Sequence, residues 1–267
     1  MRFNNLKATL KTAVLVTTVL LLGVGLAVAQ QQINLTAGPT TITLPDGSTV
    51  PMWGYSCGAP VSGTTAASCA KLNPSATGWS PVVITLTTGQ SLQINLTNSL
   101  SFANGNSVPT SLTIVGQLGG GLGDTGQRTT MPSPDHPTQT LTWPAASSDP
   151  GDGANNPPPQ GPRVQSFSTE VAVGATTSLT WTTPRAGTYL LESGTHPSIQ
   201  GPMGLYGMVV VTGPASSTGA TPVTAYPGVT YNADLRLLFS EIDPVQNTEN
   251  PTKPTTSQHQ QISPAAK

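Results

Sequence analysis

Apolar and polar residues alternate most cleanly in Leu92-Gln93-Ile94-Asn95-Leu96. Successive side chains of a strand point to opposite faces, so this run has one buried and one wet side. An apolar run, Pro81-Val82-Val83-Ile84-Thr85-Leu86, precedes it across the turn Thr88-Gly89-Gln90. The same reading predicts strands at 41–44, 50–55, 111–115, 164–171, 177–182, 187–192 and 205–212, with Gly or Pro in the gaps. From Gly116 to Pro162 the chain reads as loop, carrying Gly119-Gly120-Gly121 and Pro157-Pro158-Pro159. So long a stretch without periodicity reads as an insertion over the sheets. Many short strands with turns between them predict an all-β fold, a Greek-key β-sandwich with long loop insertions.

The two ends read differently. Arg2, Lys7 and Lys11 precede an apolar run from about Ala13 to Ala27, followed by Ala27-Val28-Ala29. A basic stretch, a short apolar core and an A-x-A site predict a signal peptide over residues 1–29. The core is near or below the ~17–25 residues that span a bilayer. The expected product is secreted or periplasmic, without a membrane anchor after cleavage. Residues 214–230 read as a linker, and Leu235-Arg236-Leu237-Leu238-Phe239 as one more apolar strand. Residues 244–267 are rich in Pro, Thr, Gln and Ser and predict a disordered tail.

Composition narrows the function. Charged residues are only 8% of the chain, while Gly and Pro supply 28 and 26 residues, as suits short strands and turns. Removing the three leader cations leaves 10 − 3 = 7 Lys and Arg against 11 acids, a charge of −4. No basic patch remains, which argues against a nucleic-acid partner. No phosphate loop or His-Glu-x-x-His helix is present. Cys57 and Cys69 are the only cysteines and flank a loop of small residues. In an exported chain they predict a disulfide; the alternative is a metal pair, for which no nearby histidine completes a set.

Three segments carry a resemblance. They are Gly89-Gln90-Ser91-Leu92-Gln93-Ile94-Asn95-Leu96-Thr97-Asn98, then Pro109-Thr110-Ser111-Leu112-Thr113-Ile114-Val115-Gly116, then Ala186-Gly187-Thr188-Tyr189-Leu190-Leu191-Glu192-Ser193 with Gly204-Leu205-Tyr206-Gly207-Met208-Val209-Val210-Val211. In this order they resemble the N-terminal plastocyanin-like domain of secreted bacterial multicopper oxidases. The resemblance implies a sandwich of cupredoxin type over residues 30–213. It also implies that residues 231–243 are the first strand of a second domain. The implied partners are further cupredoxin domains, absent from this chain, or an equivalent partner chain. The implied cofactor of the family is copper, and its activity is oxidoreductase.

The ligand positions depart from the family. The resemblance implies two His-x-His pairs; residues i and i+2 share a strand face, so each pair would point imidazoles at the same copper. Here those positions hold Thr113 and Val115, then Glu192 and Gly194. Glu192 offers an oxygen ligand, which alone is not a site. His196, two residues beyond, is the one candidate for a displaced ligand, set against a plain loop histidine. His136 falls in the long loop and His259 in the tail. Met203 and Met208 have no late cysteine beside them for a blue-copper site, and Met203 and Tyr206 read as packing residues. The expectation is a non-catalytic, structural piece of a multicopper-oxidase-like protein, with no catalytic residue and no cofactor of its own. The alternative is a standalone secreted β-sandwich module for binding or adhesion, which a groove lined by Trp53, Trp79 or Trp143 would favour.

Overall fold

The structure, a computed structural model, describes residues 30–63, 67–101, 108–132, 162–213, 223–226 and 228–249. The predicted leader, His136, Trp143, His259, most of the linker and the tail beyond residue 249 lie outside the described residues. In chain order the strands are β1 (Gln30–Thr43), β2 (Thr49–Cys57), β3 (Ser68–Lys71), β4 (Val82–Thr87), β5 (Ser91–Asn98), β6 (Thr113–Ile114), β7 (Thr129–Met131), β8 (Arg163–Ser166), β9 (Thr176–Trp181), β10 (Gly187–Glu192), β11 (Tyr206–Thr212), β12 (Val223–Tyr226) and β13 (Val229–Tyr231). One sheet has the order β2-β1-β5-β9 and the other β3-β4-β11-β10-β6. Each contains one parallel pair, β1 with β5 and β4 with β11. This is the all-β sandwich that the alternation predicts.

The core lies between the sheets. Strand β5 alternates strictly, with Leu92, Ile94 and Leu96 fully buried beside Val82, Ile84 and Leu86 of β4 and Val209 and Val211 of β11. Burying each such side chain contributes about 1.5–3 kcal/mol. The wet face of the first sheet carries uncharged amides that bond across strands. The Gln30 amide donates to Gln93 at 2.8 Å, and Asn95 donates to Asn34 at 3.0 Å. Cys57 at the end of β2 is disulfide-bonded to Cys69 in β3, with Cα atoms 5.7 Å apart, and so staples one sheet to the other.

Several sequence expectations change. Strand β1 starts at Gln30, far ahead of the strand expected at residue 41. The segment 111–115 contributes only Thr113–Ile114 to a ladder, and 164–171 only its beginning. The stretch read as loop from Gly116 holds a 3-10 turn, Thr125–Gln127, and β7, which pairs with β8. Glycines 119, 120 and 121 all have positive φ, and a Cβ at either of the first two would strike the Trp181 ring. Only glycine lets this turn close over that fully buried tryptophan.

The C-terminal segment departs furthest from expectation. Residues 233–243 form no strand, and Pro244–Glu249, read as the start of the disordered tail, form a helix. Together they make a strap across the outside of the molecule. Leu238 and Ile242 pack on a second apolar cluster of Val50, Met52, Trp79 and Tyr206. The Tyr206 hydroxyl donates to Ser240 at 2.5 Å, and Arg236 donates to the Thr85 hydroxyl at 3.2 Å. The buried Asn247 amide donates to the Pro51 carbonyl at 3.1 Å. Leu235, Leu237 and Phe239 face solvent at 83%, 60% and 88% exposure.

Candidate functional site

Strands β6 and β10 are antiparallel neighbours with Thr113 opposite Glu192, and β11 places Tyr206 opposite Glu192 on the other side. Cross-strand partners share a face, so Thr113, Glu192 and Tyr206 stand on one face of the second sheet. Gly194 lies two residues beyond Glu192, close enough to Thr113 that a Cβ would stand 2.7 Å from its hydroxyl. Thr113, Glu192 and Gly194 are thus brought together. Val115 stands at the margin, 43% exposed, its amide donating to the Leu190 carbonyl at 2.9 Å.

Thr113 and Gly194 belong to a cluster of buried hydroxyls. The Thr113 and Ser168 hydroxyls share a hydrogen bond of 2.6 Å. The Thr195 hydroxyl donates to Ser111 at 3.0 Å and lies 3.2 Å from Ser166. Ser193 donates to the Gln200 side-chain carbonyl at 2.6 Å, and Thr110 donates to the same oxygen at 2.8 Å. The Gln200 amide then donates to the Pro109 carbonyl at 2.8 Å. Tyr55 donates to the Ser111 carbonyl at 3.1 Å, and burial pushes its phenol pKa far above the ordinary value. Every one of these groups is interior, and each finds its partner within the cluster or the neighbouring backbone. The cluster was not foreseen, because its members come from four separate segments. The one local hint is the i, i+2 spacing of Ser166 with Ser168 and of Ser193 with Thr195.

This donor set does not fit copper. Thr113 offers a neutral hydroxyl already committed to Ser168, and Gly194 has no room for a side chain. Thr113, Val115, Glu192 and Gly194 include no imidazole. His196 is half-buried at the start of the helical turn Pro197–Gln200, with φ 41° and its amide donating to the Gln165 carbonyl at 3.1 Å. Among the described residues no three His, Cys, Asp or Glu side chains stand together in a way that holds a metal ion. Met203 and Tyr206 are buried, and Trp79 donates its indole N–H to the Gly204 carbonyl at 3.1 Å. Trp53 and Trp79 are themselves buried at 3% and 8% exposure, so they line no sugar-binding groove.

Glu192 differs from its neighbours. It is half-buried at the edge of the cluster, and desolvation raises the pKa of its carboxyl above the ordinary value. It borders an open groove of about 560 Å³ between β10 and the strap, lined also by Tyr206, Phe239, Glu241 and Asp243.

No protein-family model matches the sequence, and no curated protein matches it. Solved structures overlap it in part. A multicopper oxidase from Pseudomonas thermotolerans is 17% identical with a TM-score of 0.39, covering 71% of this chain and 32% of that one. A copper nitrite reductase from Nitrosomonas europaea is 17% identical with a TM-score of 0.37, covering 72% of this chain and 44% of that one. The chain therefore spans less than half the length of either protein, and overlaps of this size carry no statement about activity. No helix among the described residues is long and apolar enough to cross a membrane.

Proposed function

We propose that this chain is a structural, non-catalytic plastocyanin-like domain of an exported multicopper-oxidase-like protein, working packed against cupredoxin domains supplied beyond its own sandwich. One observation carries the reading. Of the four positions that hold copper in the resembled family, one is Thr113 of the hydroxyl cluster, one is Gly194, where a Cβ would meet that hydroxyl at 2.7 Å, and the others are Val115 and Glu192, so none carries an imidazole. Such a cluster satisfies itself and leaves no open coordination position. The solvent-facing row Leu235, Leu237 and Phe239 supports a packed partner, since apolar side chains grouped on one edge gain by being covered. Export rests on the leader-like N-terminus.

Equilibrium copper titration of the purified chain, with His196→Ala in parallel, tests this. The expected result is no stoichiometric copper, or loose copper indifferent to the substitution. Tight one-to-one copper that His196→Ala abolishes would overturn the proposal and make the chain a metal site in its own right.

A further inference from the structure

Strand β1 opens on three glutamines whose side chains stand in different surroundings. Gln31 shares the inward face of Ile33 and Leu35 at 5% exposure, and its amide donates to the Gln90 side-chain carbonyl at 3.1 Å. Gln32 is half-buried and accepts from the Gln93 amide at 3.5 Å. Gln30 is exposed and lies opposite Ser91 of β5 in the parallel register. Its amide donates to Gln93 at 2.8 Å, and its side-chain carbonyl accepts no hydrogen bond among the described residues. Gln30 also directly follows Ala27-Val28-Ala29. Strand β1 therefore begins at the first residue that leader cleavage would leave.

We infer that Gln30 is a modification site: once the leader is removed, its α-amine cyclises onto its own side chain to give pyroglutamate. The amine nitrogen attacks Cδ of the side-chain amide. The N–Cδ bond forms, the Cδ–NH2 bond breaks, and the leaving group takes the amine proton and departs as ammonia, so no oxidant or other reactant is needed. A five-membered lactam remains, and the terminal charge is lost. The fold selects the position. Cyclisation at Gln30 gives up one exposed hydrogen bond, to Gln93. Cyclisation at Gln31 would draw a buried side chain out of the sandwich and break its bond to Gln90, which the packed sheet opposes. The four strands of the first sheet contain no charged residue, so a free ammonium at Gln30 finds no carboxylate among them, and the lactam removes that charge. The inference rests on the export reading of the leader and not on the argument about copper.

Mass spectrometry of the chain exported by a bacterial host from its full gene, its own leader in place, tests the inference. The expected N-terminal peptide begins at Gln30 and is lighter by about 17 Da, the mass of the ammonia lost. It should resist Edman degradation and become sequenceable from Gln31 after treatment with pyroglutamyl aminopeptidase. A second chain that lacks Gln30, so that Gln31 follows Ala29, should keep a free amine over the same incubation, because the fold holds that side chain inside. A peptide that begins at Gln30 and keeps its full mass after days at neutral pH would overturn the modification and leave the export reading intact. A deletion chain blocked as fast as the parent would overturn the selection of Gln30 by the fold. A chain cut elsewhere, or left uncut, would overturn the leader reading and the inference with it.

Discussion

Thr113 and Ser168 share a buried 2.6 Å hydrogen bond directly beneath Gly194. The pair joins β6 to the segment after β8, and the glycine lets β10 run on past them without a side chain in the way. Two of the four positions at which the resemblance implies ligands are here one packing unit. Hydroxyls that bond each other offer no lone-pair cage for a metal, and the unit contributes rigidity in its place.

Gly194→Ala should therefore be costly although the residue does not have a positive φ. The added methyl would stand 2.7 Å from the Thr113 hydroxyl and 3.1 Å from that of Ser168. Overpacking of this kind costs about 1–3 kcal/mol. Urea unfolding of the variant should show that loss with an unchanged slope. A variant as stable as the parent would mean the cluster yields easily, and the argument against fitting a ligand there would fail with it.

The disulfide should stabilise the fold measurably, and it joins the two sheets at β2 and β3. Chain-entropy reasoning gives about 3 kcal/mol for a loop of this size. Reduction, or Cys57→Ser with Cys69→Ser, should lower the unfolding midpoint accordingly. An unchanged midpoint would show that β3 is held on β4 by its ladder alone.

The strap should behave as part of the domain. Ending the chain after Tyr231 would uncover Trp79, Met52 and Val50, and Trp79 emission should shift to the red. Tyr206→Phe and Ser240→Ala should each cost about 0.5–1.5 kcal/mol, and the double variant less than their sum, because they remove one shared bond. Strict additivity in that cycle would show that the two hydroxyls do not interact in solution.

These elements differ in how far the sequence disclosed them. Leu92, Ile94 and Leu96 declare β5, because alternation and burial coincide there. Strand β1 is hidden, because Gln and Asn have weak strand preference. What recruits Gln30 and Asn34 is the amide ladder to Gln93 and Asn95, a feature of the assembled sheet. The strap misleads in a different way. Leu235-Arg236-Leu237-Leu238-Phe239 is apolar on both parities, and the choice to bury Leu238 while exposing Leu237 and Phe239 is made by the cleft beside Tyr206. The departures at Thr113, Val115, Glu192 and Gly194 are readable from the resemblance. The hydroxyl cluster around Thr113 is not, since Ser111, Ser166 and Thr195 meet only in three dimensions.

Glu192 gives the pH-dependent prediction. Burial raises its folded pKa above the ordinary value of 4.5, so the folded state favours the neutral acid. The sign follows from linkage: the favourable contribution of the neutral acid is full below 4.5 and is lost as pH rises through the folded pKa. At neutral pH the ionised carboxylate is therefore a net burden on folding. Glu192→Gln should raise the unfolding midpoint at pH 7 and give no gain below pH 4.5, where the parent is already neutral. Chemical unfolding of both proteins across this range checks it. A gain that persists unchanged in acid would assign the effect to packing of the amide. A loss at pH 7 would show that the carboxylate has a partner in solution.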